Sequence, residues 1–185
     1  MGYGKAIEKA WEDVLNLTKD GRFSVRLLSD VCEIDLNNKT VSSASCNKPA
    51  KDYISILCLH YLAQKLKLAV LPDLTGEWIG FNQLDGGEGY YPAFKIRTID
   101  HIVKKYGADP DELLKVIERL PAKKASVGDT GVTIAPFDNV LILVTMWKQD
   151  DEFEPSADIL FDKNISKILC TEDIVVLTEH LVHQL

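Results

Sequence analysis

The segment from Leu74 to Phe94 combines five glycines with one tryptophan, two phenylalanines and two adjacent tyrosines. Aromatic rings can stack on a planar ligand, and glycine N–H groups can approach an anionic group closely because glycine has no Cβ. The spacing matches neither a P-loop nor a dinucleotide-binding fingerprint. A turn whose aromatic side chains pack inward explains the same composition. The candidate ligand-binding residues, with one histidine from an earlier helix, are His60, Trp78, Phe81, Gly86, Gly87, Tyr90 and Tyr91.

His60 lies within an apolar run, Tyr53 to Ala63, that is typical of a buried helix. Its imidazole could be the axial ligand of a planar cofactor, or an acid–base group working with Asp129 or Asp151. A neutral histidine with one hydrogen bond to a neighbour explains the position without any ligand. The sequence contains no nucleophile elbow and no zinc-protease motif. The sequence therefore identifies no catalytic residue, and it does not decide whether the protein is an enzyme.

Acidic residues late in the chain suggest a different chemistry, the binding of Ca²⁺ or Mg²⁺ through carboxylate oxygens. The candidate metal ligands are Asp151, Glu152 and Asp162. Their spacing is not that of an EF-hand, and solvated acids around a loop explain them without a metal. The four cysteines lack CxxC spacing, so we expect free thiols rather than zinc or iron–sulfur ligation.

Composition narrows the classes of partner. A chain of 185 residues, 46% of them hydrophobic, is long enough to bury the core of one domain. The formal net charge of −7 argues against nucleic-acid binding, which needs clustered lysines and arginines, and against anionic membranes. The sequence has neither an apolar run of about eighteen residues nor the apolar segment of a signal peptide. We therefore expect a cytoplasmic protein with a small-molecule or protein partner, and no nucleic acid or membrane.

The elements that position these residues can be predicted from hydrophobic periodicity. Apolar residues at helical spacing predict an amphipathic helix over Lys5–Leu17. Alternating residues between Arg22 and Ala44 predict a three-stranded antiparallel meander. A helix from Pro49 to Leu66 is apolar on nearly all sides, as expected at the centre of a domain. The segment Leu74–Phe94 fits neither period, so we expect a loop there.

The rest of the chain predicts short helices, then strands, then a final helix. The expected segments are helices over Thr98–Tyr106 and Asp109–Leu120, a polar loop over Ala122–Gly131, strands over Val132–Ala135, Val140–Trp147 and Ala157–Phe161, and a last helix capped by Thr171. This order predicts a single α+β domain over residues 1–185. Its antiparallel sheet would pack against a buried central helix and several amphipathic helices.

Four parts of the sequence resemble a known family: Cys58–Leu62, Leu74–Phe94, Met146–Pro155, and Leu160–Asp162 followed by Leu169–Leu177. In this order and spacing, nearly the whole chain resembles the uncharacterised domain-of-unknown-function family 3786 of anaerobic bacteria and archaea. The resemblance implies a shared fold and a loose association with corrinoid-dependent one-carbon metabolism. Some relatives carry an additional four-cysteine iron–sulfur segment that this sequence lacks, so iron–sulfur chemistry does not carry over.

Three functions are compatible with these observations. The first is a small-ligand or cofactor-binding accessory domain, whose planar ligand could be a corrinoid or another tetrapyrrole with His60 as axial ligand. The second is a protein-interaction module for an iron–sulfur or corrinoid partner. The third is an enzyme using His60 and a nearby acid. We favour the first two because the residues form no recognisable catalytic constellation.

Overall fold

The computed structural model describes residues 3–19 and 21–185. Its helices and antiparallel sheets confirm the predicted α+β class, with two sheets in place of the one expected. Contacts within the chain divide it into two compact units, Met1–Pro72 and Asp73–Leu185. The single domain predicted from the sequence stays a prediction. Within the described residues, no helix combines the length and apolarity needed to cross a bilayer.

The first unit joins two helices to a four-stranded antiparallel meander. Alternation of buried and exposed residues builds the strands, so that Val25, Cys32 and Ile34 are buried while Glu33 is exposed. The predicted meander is confirmed, and a short fourth strand extends it. That strand contains Pro49, which therefore does not begin the following helix as predicted. The elements are α1 (Gly4–Leu15), β1 (Arg22–Leu27), β2 (Asp30–Asp35), β3 (Thr40–Ser43), β4 (Lys48–Pro49) and α2 (Asp52–Leu68).

The second unit is built on a five-stranded antiparallel sheet of order β5-β9-β8-β7-β6. Its strands are β5 (Trp78–Gly80), β6 (Ala122–Ala125), β7 (Thr130–Phe137), β8 (Val140–Trp147) and β9 (Ser156–Asp162). Its helices are α3 (Gly87–Arg97), α4 (Ile99–Tyr106), α5 (Ile165–Ile168) and α6 (Thr171–Gln184), with 3₁₀ turns at Phe81–Gln83 and Pro110–Glu118. The strand β8 lies between β7 and β9 and is buried from Ile142 to Met146, which confirms the predicted central strand.

Two segments predicted as loops contain regular structure. Leu74–Phe94 holds β5, a 3₁₀ turn and most of α3, although glycine and Pro92 are poor helix formers. Ala122–Gly131 begins with the edge strand β6, whose two central lysines are exposed. Charged residues on an edge strand discourage pairing with another chain, so a polar sequence is compatible with a strand there.

The start of α6 differs from the prediction in one residue. Cys170, rather than Thr171, occupies the N-cap position, and its thiol donates to Asp173 Oδ2 at 3.2 Å. Thr171 is the first helical residue, and its hydroxyl donates to the backbone carbonyl of Asp85 at 2.7 Å. Glu172 and Asp173 lie in the first turn, as predicted, where a negative charge stabilises the helix dipole.

Candidate functional site

The aromatic residues of the Leu74–Phe94 segment divide between the core and the surface. The rings of Phe81 and Phe94 are parallel within 5° with centroids 4.0 Å apart, and both side chains are buried. Phe161 of β9 packs against Phe94 with centroids 6.3 Å apart. Phe81, which the sequence nominated for ligand binding, therefore belongs to the core of the second unit.

Tyr90 is the most accessible of the nominated aromatic residues, with 39% of its surface exposed. Arg97 donates to the Tyr90 hydroxyl at 2.9 Å, and its guanidinium carbon lies 5.9 Å from the Tyr90 ring centroid. The same guanidinium is 3.3 Å from Glu179 Oε1. Trp78 pairs with Asp162 in the β5–β9 ladder and, like Tyr91, is half-buried. These contacts place Tyr90 on a surface of the second unit with its hydroxyl already engaged.

The two nominated glycines have a structural explanation. Gly86 has φ +68°, a conformation that residues with a Cβ rarely adopt. A Cβ on Gly87 would lie 2.0 Å from the backbone oxygen of Phe81, so the chain can close this turn only with glycine. Both positions bring α3 back over the 3₁₀ turn, which is how Phe94 reaches Phe81.

His60 belongs to α2 in the first unit, whereas the other six nominated residues lie in the second unit. The predicted pocket draws on both units, and it stays a prediction. Within the second unit, the structure brings Phe81, Gly87 and Tyr90 close together through the Phe81–Tyr90 contact, with centroids 6.3 Å apart, and the turn at Gly87.

Asp162, nominated as a metal ligand, is a buried carboxylate saturated by hydrogen bonds from the chain itself. It accepts from Thr75 N at 3.0 Å, Thr75 Oγ1 at 3.0 Å, Gly76 N at 2.8 Å and Asn164 N at 3.1 Å. Burial raises the pKa of Asp162, but these donors outweigh it and hold the pKa below its ordinary value. The carboxylate thus fixes the start of the Leu74–Phe94 segment to the end of β9.

Asp151 and Glu152, the other nominated metal ligands, are exposed in the turn after β8. Asp150 organises this turn, because its Oδ1 accepts from the N–H groups of Glu152 and Phe153 at 2.8 Å each. In the part of the chain that the structure describes, no three His, Cys, Asp or Glu residues form a group that could hold a metal ion.

A cleft of about 540 Å³ opens where β8 ends and β9 begins, and we refer to it as the aromatic–acidic cleft. Trp147 and Phe153 contribute exposed rings, with 37% and 68% of their surfaces accessible. The complete lining is Asp129, Trp147, Lys148, Asp150, Phe153, Glu154, Ser156 and Asp158. Four carboxylates and one ammonium therefore surround two accessible aromatic side chains.

The charges in this cleft differ in how they are satisfied. The ammonium of Lys148 is engaged by Asp111 Oδ2 at 2.9 Å, and the backbone N–H of Lys148 donates to Asp129 Oδ2 at 2.8 Å. Asp158, by contrast, has no hydrogen bond or ion pair to any residue that the structure describes. Asp158 is exposed on β9, and the partial burial of its carboxylate without a compensating donor raises its pKa.

A neighbour of Asp158 is also unsatisfied. Thr145 of β8 lies directly opposite Asp158 in the β8–β9 ladder, so both side chains are on the same face of the sheet. Thr145 is fully buried, and its Oγ1 has no hydrogen-bond partner in the described part of the chain. Buried polar atoms are nearly always paired in folded proteins, so this hydroxyl is an exception, although Thr145 is not part of the cleft lining.

A family profile described as "Domain of unknown function (DUF3786)" matches residues 9–184. The chain belongs to this family. Searches of curated proteins and of solved structures found no match. Two residues of the Met146–Pro155 segment, Trp147 and Phe153, line the aromatic–acidic cleft. The family membership establishes no activity for this chain.

Sequence reasoning considered Asp129 only as a possible partner of His60 and did not find the cleft. The sequence contained part of the evidence for this cleft, because Trp147 and Phe153 are six residues apart with acidic residues between them. Asp158 could be placed beside them only by the antiparallel register, in which Trp147 pairs with Ser156 and Thr145 with Asp158. Asp129 lies in a different hairpin, the one that joins β6 to β7. Its N–H donates to the Met146 carbonyl at 3.0 Å.

Proposed function

We propose that this member of the DUF3786 family is a small-ligand-binding domain whose site is the aromatic–acidic cleft, and that its ligand is an organic cation carrying an ammonium group. The unpartnered carboxylate of Asp158 beside two exposed aromatic rings is the observation that carries the proposal. A cation is the ligand class that satisfies both features at once.

Aromatic faces attract cations through the ring quadrupole, and the contribution is about 0.5–2 kcal/mol depending on solvent exposure. Trp147 is the best ring type for this contact, and Phe153 offers a second ring at the rim. Four carboxylates against one lysine, itself paired with Asp111, give the cleft a net negative charge. A neutral planar ligand would use the rings and leave these charges without a role.

The raised pKa of Asp158 supports the same ligand class. Asp158 is exposed, but a carboxylate that loses part of its hydration without gaining a donor is less stable in its charged form. An ammonium group placed next to it would restore the lost interaction and lower the pKa again. The ligand would thereby offset the electrostatic cost of the partial burial of Asp158.

A second function, recognition of a lysine or arginine side chain of a protein partner, uses the same chemistry. The exposed Phe153 at the rim favours it, because a ring with 68% of its surface accessible can be covered by a partner. A corrinoid or another tetrapyrrole, expected from the family resemblance, would bind through other residues. Visible absorbance of the purified protein tests that prediction.

The proposal is tested by calorimetric titration with choline and with 3,3-dimethylbutan-1-ol, its uncharged analogue of the same shape. We expect choline to bind about tenfold more tightly than the alcohol, which corresponds to about 1.4 kcal/mol of binding free energy. Asp158→Asn should weaken choline binding at least fivefold and leave the alcohol unaffected. Asp151→Asn, an exposed acid outside the cleft lining, is the matched control and should change neither affinity.

A lysine-containing peptide, acetylated at its N-terminus, distinguishes the two functions. Peptide binding that Asp158→Asn abolishes, without measurable choline binding, would assign the cleft to a protein partner. Equal affinity for choline and for the uncharged alcohol would contradict cation recognition, as would choline binding that Asp158→Asn leaves intact.

A further inference from the structure

A second cavity, of about 340 Å³, lies between α4 and the last turn of α6, and we refer to it as the α4–α6 pocket. Its floor is apolar and comes from Ile102, Tyr106, Val182 and Leu185, each with less than a tenth of its surface exposed. Ligand pockets commonly have volumes of about 300–1,000 Å³ with mostly apolar walls, so this one has room for a small organic molecule.

The rim of the α4–α6 pocket carries only basic or imidazole side chains: His101, Lys104, Lys105 and His183. The imidazole rings of His101 and His183 have centroids 6.4 Å apart. Lys105 lies over the Tyr106 ring at 5.2 Å from its centroid, which holds this ammonium at the edge of the floor. An apolar floor beneath a cationic rim is complementary to a ligand with an apolar body and an anionic head.

The backbone holds both imidazoles in place. His101 Nδ1 is 3.1 Å from the carbonyl oxygen of Ile96, and His183 Nδ1 is 2.6 Å from that of Glu179. A carbonyl oxygen only accepts, so Nδ1 is the donor in each ring and Nε2 is the nitrogen that remains for a ligand. In the imidazolium form, Nε2 is also a donor and can bind an anionic head group.

A bound metal ion is the other occupant to weigh for a pair of histidines. Two observations disfavour it: Lys104 and Lys105 share the rim, and no third ligand joins the two imidazoles among the described residues. From the floor and the rim together we infer that the α4–α6 pocket binds an apolar monocarboxylate, such as a medium-chain aliphatic acid. This site is separate from the aromatic–acidic cleft in its residues and opposite to it in charge.

The test is calorimetric titration with three ligands that share one chain: octanoate, 1-octanol and octylammonium. We expect octanoate to bind at least about tenfold more tightly than the alcohol and octylammonium not to bind. The double variant Lys104→Gln/Lys105→Gln should weaken octanoate at least fivefold and leave 1-octanol unchanged. Lys123→Gln, which changes a lysine of the exposed edge strand β6, is the control and should leave all three affinities unchanged.

A cavity-filling variant, Val182→Phe, should bind neither octanoate nor 1-octanol. If Val182→Phe does not fold, the octanoate affinity of the lysine variant tests the inference instead. Equal affinity for octanoate and 1-octanol, or absence of octanoate binding, would overturn the inference. Two results together would also overturn the inference and assign the histidines to a metal. The protein would bind Zn²⁺ and lose that binding in His101→Gln, and the lysine variant would still bind octanoate as tightly as the wild type. Loss of this site leaves choline binding at Asp158 untouched, so the two proposals fail independently.

Discussion

Asp158 and Asp162 lie four residues apart on the same face of β9, and their surroundings displace their pKa values in opposite directions. Asp162 is buried and accepts hydrogen bonds from Thr75, Gly76 and Asn164, which lower its pKa. Asp158 is exposed and lines the aromatic–acidic cleft without a donor, and partial burial of its carboxylate raises its pKa. One carboxylate thus stabilises the fold, whereas the other is the residue that we propose for ligand binding.

Replacing Asp162 should destabilise the protein. Asp162→Asn keeps the shape of the side chain but removes the charge and turns one acceptor into a donor facing backbone N–H groups. We expect a loss of about 1–3 kcal/mol in the free energy of unfolding, measured by urea titration at pH 7. Asp158→Asn should leave the stability unchanged or raise it slightly. A stable Asp162→Asn variant would show that the carboxylate does not anchor the Thr75–Gly76 turn.

The pH dependence of stability should differ between the same two residues. Because the folded-state pKa of Asp162 is lowered, its stabilisation is present above the unfolded value of about 3.9 and is lost as the pH falls through the folded pKa. For Asp158, whose folded pKa is raised, the favourable contribution is present below about 3.9 and is lost as the pH rises through the folded pKa.

Unfolding free energies measured between pH 7 and pH 2.5 test both signs. The difference between wild type and Asp162→Asn should shrink towards acid pH, because protonation removes the charge that the variant lacks. Any advantage of Asp158→Asn should appear at neutral pH and disappear in acid. The account is contradicted by a wild-type minus Asp162→Asn difference that is constant over this range.

Two neighbouring glycines should respond to alanine with opposite signs. Gly87→Ala places a Cβ 2.0 Å from the Phe81 backbone oxygen, so the turn must open and the Phe81–Phe94 stack must move. We expect a loss of about 1–3 kcal/mol or more. Gly89→Ala lies in the same helix with nothing within 4 Å of the new Cβ, and should stabilise by about 0.5–1 kcal/mol. The melting temperatures of both variants test this prediction. Equal changes in melting temperature would contradict the close packing of Gly87 against the Phe81 backbone.

The four cysteines should react with iodoacetamide at different rates. Cys46 and Cys170 are exposed, whereas Cys32 and Cys58 are buried. Partial burial of its sulfur, with the Asp173 carboxylate nearby, raises the pKa of Cys170 to about 12, so very little thiolate forms at pH 8. Mass spectrometry of tryptic peptides should therefore show Cys46 modified first and Cys170 at least about 100-fold more slowly. Unfolding in urea should make the rates similar, and rapid labelling of Cys170 in the folded protein would show that Asp173 leaves the thiol reactive.

Local patterns were sufficient for most of the fold. The meander could be predicted because residues from Phe23 to Leu36 alternate, and β8 because eight nearly all apolar residues need cover on both faces. Helix α3 could not, since Gly87, Gly89 and Pro92 are three of its first six residues and are poor helix formers. Its stability comes from Phe94 packing on Phe81 and on Phe161, a residue far along the chain.

The sites were harder to predict, because they also depend on contacts between residues that are far apart in the sequence. The glycines at 86 and 87 suggested an anion-binding loop, but their geometry serves a close approach of backbone to backbone. Asp162 looked like a metal ligand because a sequence does not show which carboxylates accept hydrogen bonds from backbone N–H groups. The aromatic–acidic cleft depends on strand register. The α4–α6 pocket depends on residues of α4 and the end of α6, at positions 101–106 and 182–185, that are distant in sequence.

The most direct test of cation recognition is the pKa of Asp158 itself, measured by NMR from the pH dependence of its carboxyl carbon shift. Without ligand, that pKa should lie above the ordinary aspartate value of about 3.9. Saturation with choline should lower it, while the pKa of Asp162 stays below the ordinary value in both samples. An Asp158 pKa that choline at saturating concentration does not move would contradict the account.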